Sequence, residues 1–99
     1  MDQNMNNKQL EYLYRAILTL QTVEDCKSFL EDLCTPSELS EMSRRLQAAH
    51  MLNDGMIYTE IAEQTGLSTA TISRVRRALE YGNGGYRTVI DRLDKAEEK

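Results

Sequence analysis

Residues 58–79 constrain the fold more than any other part of this 99-residue chain. Their spacing predicts two short helices, residues 60–65 and 69–79, joined by a tight turn at Gly66 and Leu67. Gly66 stands where the chain leaves the first helix, and a left-handed backbone conformation there costs little for a residue without Cβ. The pattern predicts a helix-turn-helix, in which the second helix enters the major groove of DNA.

Small and branched apolar residues are placed to pack these two helices together. Ala62 is small where the helix backbones must approach closely. Ile72 is expected to pack back on the first helix, beside Ile61, Leu67 and Val75. A hydroxyl at Ser68 or Thr69 can cap the second helix by accepting from its free N–H groups.

The outer face of the second helix has the chemistry of a DNA-reading surface. Short polar side chains come first, three arginines follow, and no acid intervenes, which gives this segment a charge of +3. Short polar groups can touch base edges, while arginines bind phosphate or guanine. Thr69, Ala70, Thr71 and Arg74 are the expected base readers, and Ser68, Ser73, Arg76 and Arg77 the expected phosphate ligands. A merely solvated cationic helix is the alternative, and the joint pattern favours DNA.

The net charge of −4 is unusual for a nucleic-acid-binding protein. The distribution of charged residues along the chain makes the negative net charge more compatible with DNA binding. Residues 1–57 hold five Lys/Arg against nine Asp/Glu, whereas residues 58–99 hold seven of each. We expect an acidic body to suppress indiscriminate DNA binding, so that affinity needs dimerisation or an effector. The length suffices for one domain with a modest core, to which a partner subunit can add burial.

Composition excludes several other classes. Cys26 and Cys34 have no His or Cys partner at metal-ligand spacing, so buried free thiols are favoured over a disulfide or a zinc site. No metal or cofactor is expected. There is no signal peptide and no apolar run of membrane length, which predicts a cytosolic chain without membrane contact. One proline and no β alternation predict an all-α fold.

The chain in order predicts one helical domain over residues 8–97, after a polar segment, 1–7, that we expect to be disordered. Apolar residues at helical spacing predict a first helix over residues 8–20, apolar on more than one side and so suited to a partner subunit. Further helices are expected to start at Thr22, at Thr35-Pro36 and near Tyr86, the last ending in a charged, solvated tail. In the second helix the expected buried stripe is Val23, Cys26, Phe29, Leu30 and Leu33.

Three segments together resemble the Trp repressor family: TPSELSEMSRR, LNDGM and TATISRVRRAL. The resemblance covers roughly residues 10–93 and is greatest to the small Trp-repressor-related proteins of the YerC/YecD type. It implies a six-helix, intertwined homodimer whose two recognition helices enter successive major grooves. It also implies transcription regulation, most simply repression, at a pseudo-palindromic operator in double-stranded DNA.

The ligand pocket of that family is only partly matched. Thr35 and Pro36 stand at the family's Thr-Pro helix start, Arg45 at its pocket arginine, and Arg74 at the arginine that holds the ligand. By this resemblance Arg45 and Arg74 are the candidate ligand-pocket residues.

Two positions depart from the family's pattern. Val75 replaces the glycine that leaves room for the indole ring, and Ala78 replaces the serine that helps bind the ligand's ammonium group. The turn is also one residue shorter. We therefore predict that L-tryptophan is not the corepressor, and the sequence does not specify whether another small molecule takes that role.

The leading function is a homodimeric, sequence-specific transcription regulator. The alternative is a helical interaction module that binds a transcription partner rather than DNA, which the acidic first half favours and the arginine cluster opposes. An enzyme is the least favoured class because the sequence has no acid–base pair at useful spacing, nucleophile elbow, phosphate loop or metal cluster.

Overall fold

A computed structural model describes residues 3–97 of the chain. Over that range the chain forms six helices and no strand, as the sequence predicts: α1(Gln3–Leu18), α2(Val23–Leu33), α3(Pro36–Asn53), α4(Tyr58–Thr65), α5(Thr69–Tyr81) and α6(Gly85–Glu97).

Helix boundaries differ from the expected ones at both ends of the chain. Residues 3–7, expected to be disordered, belong to α1, since this segment contains no glycine or proline that would end a helix. Met1 and Asp2 lie outside the described residues. The expected solvated tail is helical as far as Glu97, and its first residue, Asp94, is half-buried. The last two residues of that tail also lie outside the description.

Local side-chain hydrogen bonds define two helix starts, as predicted. The Thr22 hydroxyl accepts from the Asp25 N–H at 3.0 Å. At the start of α3, the Glu38 N–H donates to Thr35 Oγ1 at 3.1 Å, and the Thr35 N–H donates to Glu38 Oε1 at 2.9 Å. This reciprocal pair is a capping box. The Thr35 backbone N–H, and then its side chain, hold the pKa of the Glu38 carboxyl below its usual value of 4.5.

Within the range predicted to be one domain, the chain has two compact units, one ending at Leu39 and the next beginning at Ser40. The prediction of a buried stripe on α2 in the first unit is wrong: Val23 is 80% exposed and Leu33 53% exposed. Cys26, Phe29 and Leu30 are half-buried. Two helices and the start of a third are too few to enclose a core, so these apolar faces remain uncovered within the unit.

The second unit contains the hydrophobic core. Ile61 and Ile72 are its largest fully buried side chains, as expected for two helices that pack on each other. The full cluster is Ala48, Ala49, Ile61, Leu67, Ile72, Val75 and Ile90. Because these residues come from α3, α4, α5, α6 and, for Leu67, the turn between α4 and α5, the core holds α4 and α5 against α3 and α6.

His50 connects α3 to α6 within this unit. Its Nδ1 lies 3.2 Å from Asp54 Oδ2 and its Nε2 lies 3.4 Å from Asp94 Oδ1. The side chain is about half exposed. Each ring nitrogen of His50 contacts one carboxylate, so His50 makes a polar contact between α3 and α6.

Candidate nucleic-acid interface

The turn between α4 and α5 depends on a glycine. Gly66 has a φ of 75°, and its N–H donates to the Ala62 carbonyl at 2.8 Å. A Cβ at this position would meet only Arg44 Nη1, at 3.9 Å. The backbone conformation, rather than lack of space, therefore requires glycine here.

Thr65 holds the same turn from inside and was missed by the sequence analysis. It is 7% exposed, its Oγ1 donates to the Ile61 carbonyl at 2.7 Å, and it accepts from the Leu67 N–H at 3.2 Å. Threonine commonly bonds the carbonyl four residues back in a helix, so a threonine directly before the turn glycine was the available signal.

The N-terminus of α5 is capped by Ser68, the first of the two predicted capping residues. Its Oγ accepts from the Thr71 N–H at 3.1 Å and donates to Thr71 Oγ1 at 3.1 Å. Thr71 is half-buried, whereas Ser68, Thr69 and Ala70 are exposed. The Ser68 hydroxyl hydrogen is therefore already used within the protein.

The buried residues of α5 determine which candidates face outward. Ile72, Val75 and Leu79 form the inner side. Because successive residues in a helix are rotated by about 100°, the opposite side carries Ala70, Ser73, Arg74 and Arg77. All four of these residues are exposed. The structure thus brings half of the predicted DNA-binding residues onto one polar, cationic surface, which we call the α5 outer face.

Arg76 lies on the flank of α5 that faces α4. Its Nε donates to Glu80 Oε1 at 3.0 Å, and its guanidinium carbon lies 6.0 Å from the centre of the Tyr58 ring. The hydrogen bond that Arg76 donates to Glu80, followed by its hydrogen bond to Tyr58, raises the pKa of Arg76. The sequence analysis missed both partners, although an arginine and a glutamate four residues apart on a helix are a recognised pair.

The other flank of α5 borders a cavity of about 160 Å³. The two predicted ligand-pocket residues, Arg45 from α3 and Arg74 from α5, both line it. The remaining lining residues are Glu41, Thr71, Val75, Ala78 and Tyr86. Val75 is only 3% exposed, and its branched side chain forms part of the wall of this cavity.

A family model described as Trp repressor protein matches residues 8–94. The chain belongs to the Trp repressor family. YerC of Bacillus subtilis (strain 168), described as uncharacterized, is 44% identical over 93 residues, which cover 94% of this chain and 89% of YerC. The expected similarity to Trp-repressor-related proteins is confirmed.

Solved structures of this family share the fold. A TrpR-like protein from Eubacterium eligens ATCC 27750 has a TM-score of 0.87 and 44% identity, covering 94% of this chain and 96% of the other. A candidate Trp repressor from Staphylococcus aureus has a TM-score of 0.85 and 43% identity, covering 95% and 96%. Membership in the Trp repressor family supports a DNA-binding regulator in general, in a family of regulators rather than enzymes.

The described part of the chain gives little support for a metal site, a disulfide or a membrane-spanning helix. Over residues 3–97, no group of three or more His, Cys, Asp or Glu side chains is arranged to hold a metal ion. Cys26 and Cys34 are both free thiols. None of the described helices combines the length and the apolar character needed to cross a bilayer.

Proposed function

We propose that this chain is a sequence-specific transcription regulator, most simply a repressor, that binds a pseudo-palindromic operator as a homodimer without L-tryptophan. The observation that carries the proposal is the α5 outer face. Ser73, Arg74 and Arg77 are exposed there, while Ile72 and Val75 on the opposite side are buried. A helix anchored by its inner side and cationic on its outer side suits insertion into a major groove.

The candidate residues divide into two roles. Thr69, Ala70, Thr71 and Arg74 would read bases near the start and middle of α5. Arg77 and the Ser73 hydroxyl would hold phosphates, together with the Ser68 hydroxyl once it leaves Thr71 Oγ1 and Arg76 once it leaves Glu80. If a dimer makes about six or more phosphate contacts, affinity should fall about a thousand-fold or more between 50 and 200 mM salt.

The exposed apolar faces of the first unit support the homodimer. Leu18 is 83% exposed, Tyr14 58% and Val23 80%. Tyr14 and Leu18 lie four residues apart, on the same side of α1, and exposed apolar surface of this kind commonly marks an association site. In the second unit, Val89 and Leu93 on α6 are also about half exposed. A second copy of the chain would supply the burial that these helices lack.

The cavity beside Arg74 supports independence from L-tryptophan. Its volume of about 160 Å³ is below the roughly 300–1,000 Å³ typical of small-molecule sites. Val75 lines it where the family has room for an indole ring, and Ala78 offers no hydroxyl to an ammonium group. Calorimetry should detect no micromolar binding of L-tryptophan, and Val75→Gly combined with Ala78→Ser is the gain-of-binding comparison.

The function is tested by selecting bound duplexes from a random DNA pool at two salt concentrations, without added ligand. An enriched inverted repeat, with half-sites about one helical turn apart, is the expected result. Arg74→Ala should then cost about 1–3 kcal/mol of operator binding if Arg74 reads a base. Arg92→Ala, which removes an exposed arginine from α6, is the matched control.

The alternative function, an interaction module for a protein partner, has a distinct outcome in the same experiment. The chain would enrich no sequence, and its residual DNA binding would be weak and salt-sensitive. Exposed Ile57 and Tyr81, 60% and 82% accessible at the ends of the α4–α5 segment, are the side chains that favour this alternative.

A further inference from the structure

Arg87, in the first turns of α6, contacts the ends of two other helices. Its Nε donates to the Leu79 carbonyl at 3.1 Å, in the last turn of α5. Its Nη1 donates to Asn53 Oδ1 at 3.3 Å, and Asn53 is the last residue of α3. One side chain therefore connects α3, α5 and α6.

The chemistry of helix ends explains why a guanidinium suits this position. The last four carbonyls of a helix have no partner within the helix, and they carry partial negative charge. The Ala78 carbonyl of α5 accepts from the Gly82 N–H at 2.9 Å, and the next one, Leu79, accepts from Arg87. An arginine is always charged and presents several donors in a rigid fork, so it can satisfy two acceptors at once.

The contact adds a polar anchor to the C-terminal end of α5, where Leu79 is the last buried side chain. The N-terminal half of α5 is held by the Ser68 cap and by buried Ile72. Beyond Tyr81 the chain passes through Gly82 and Gly84, which make a poor rigid link to α6. A helix of 13 residues is about 20 Å long, so a tilt of a few degrees about its buried middle residues moves each end, including the base-reading N-terminal end, by about 1 Å.

We propose that Arg87 is a positioning residue that sets the orientation of α5 and so the discrimination between DNA sequences. This inference rests on the proposed DNA-binding function. Hydrogen bonds to base edges need donor–acceptor distances near 3 Å, so they are lost by a displacement of about 1 Å. Phosphate contacts made by flexible arginines tolerate such a shift. Loss of Arg87 should therefore reduce sequence selectivity more than general affinity.

The test compares Arg87→Gln with Arg92→Gln, an equal change of charge at an exposed position on the same helix. The probes are the duplex enriched by the wild-type chain and a scrambled duplex of the same composition. We expect Arg87→Gln to lower the affinity ratio of these duplexes by about threefold to tenfold, the effect of losing one or two hydrogen bonds. Binding to the scrambled duplex and its salt slope should match those of Arg92→Gln.

A second variant covers the case in which Arg87→Gln does not fold. Asn53→Ala removes only one acceptor, and it should lower the same ratio by a smaller factor. In Arg87→Gln with Asn53→Ala, the two effects should be less than additive because they break one shared contact.

Three outcomes would overturn the inference. Equal loss on both duplexes with a shallower salt slope would make Arg87 a phosphate ligand. An unchanged ratio in a folded Arg87→Gln protein would show that the contact does not orient α5. Absence of any enriched duplex for the wild-type chain would remove the proposed function itself, and this inference with it.

Discussion

Arg76 illustrates, at the scale of single residues, that a predicted DNA ligand can already have a partner within the protein. Its Nε lies 3.0 Å from Glu80 Oε1, and both side chains remain substantially exposed. An exposed pair of this kind is weak and is screened by salt, so a phosphate can replace the carboxylate. Under the proposed function, Glu80 would thus compete with DNA for one of the three arginines of α5.

Replacing Glu80 by Gln should strengthen binding to DNA of any sequence. The change removes the competing carboxylate, so Arg76 becomes available to a phosphate, and the salt slope should steepen by up to about one contact per protomer. Titration of a random-sequence duplex at several salt concentrations measures both effects. Glu63→Gln, an exposed acid of α4, is the control for net charge. An equal gain in both variants would mean that Arg76 is not involved.

Thr65 provides a prediction about stability. Thr65→Val keeps the branched shape but leaves the buried Leu67 N–H without its acceptor. The free energy of unfolding should fall by about 1–3 kcal/mol, the cost of an unsatisfied buried donor. Urea denaturation measures it, with Thr88→Val at an exposed position as the control. A loss no larger than that of the control would show that the turn does not need the hydroxyl.

Residues whose partners are close in sequence were the ones that the sequence predicted best. The Ser68 cap, the left-handed Gly66 and the Thr35–Glu38 pair each depend on groups within four residues. Arg87 and Asn53 are 34 residues apart, and no local pattern relates them. Contacts of that kind depend on how the helices pack, which the apolar spacing of one helix does not specify.

At the scale of elements, helix formation could be predicted from local sequence, whereas helix burial, which depends on packing, could not. The all-α fold and the starts of α2 and α3 were predictable from periodicity and caps. The exposure of Val23 on α2 was not, because periodicity shows which side of a helix is apolar but not what covers it. The position of Val75 beside a ligand pocket was predicted only through the family resemblance, because the family has a glycine there.

The start of α3 should make a pH-dependent contribution to stability. The pKa of Glu38 is lowered in the folded chain, so its ionised form is favoured by folding. Its contribution is fully present above the usual value of 4.5 and is lost as the pH falls through the lowered pKa. Glu38→Gln keeps an acceptor but cannot titrate, so its deficit relative to wild type should shrink below that pH.

Urea unfolding of both proteins between pH 3 and 7 measures this difference. Glu41→Gln, another exposed acid of α3, controls for net charge. A Glu38→Gln deficit that stays constant across the range would contradict a role for the ionised carboxyl.

At the scale of the whole molecule, the exposed side chains of α1 and α2 predict that stability depends on protein concentration. A homodimer is stabilised by mass action, so its melting temperature rises with total chain concentration. Leu18→Glu places a charge on a side chain that is 83% exposed in the single chain, so it should abolish this rise. Ile57→Glu, at a position 60% exposed outside α1 and α2, should not.

Differential scanning calorimetry over a hundredfold range of concentration, with sedimentation for the mass, makes the comparison. A melting temperature that is independent of concentration in the wild-type chain would contradict the proposed dimer.

The absence of any buried residue on α2 also affects how the amount of paired regulator depends on the rate at which the chain is synthesised. If a second copy covers these helices, as the proposed homodimer requires, ordering of the first unit and pairing would occur together. While free chains predominate, the number of pairs grows as the square of the number of chains. Doubling synthesis would then raise the paired form by about fourfold. The proposed regulator would thus convert a gradual change in expression into a steep change in occupied operator.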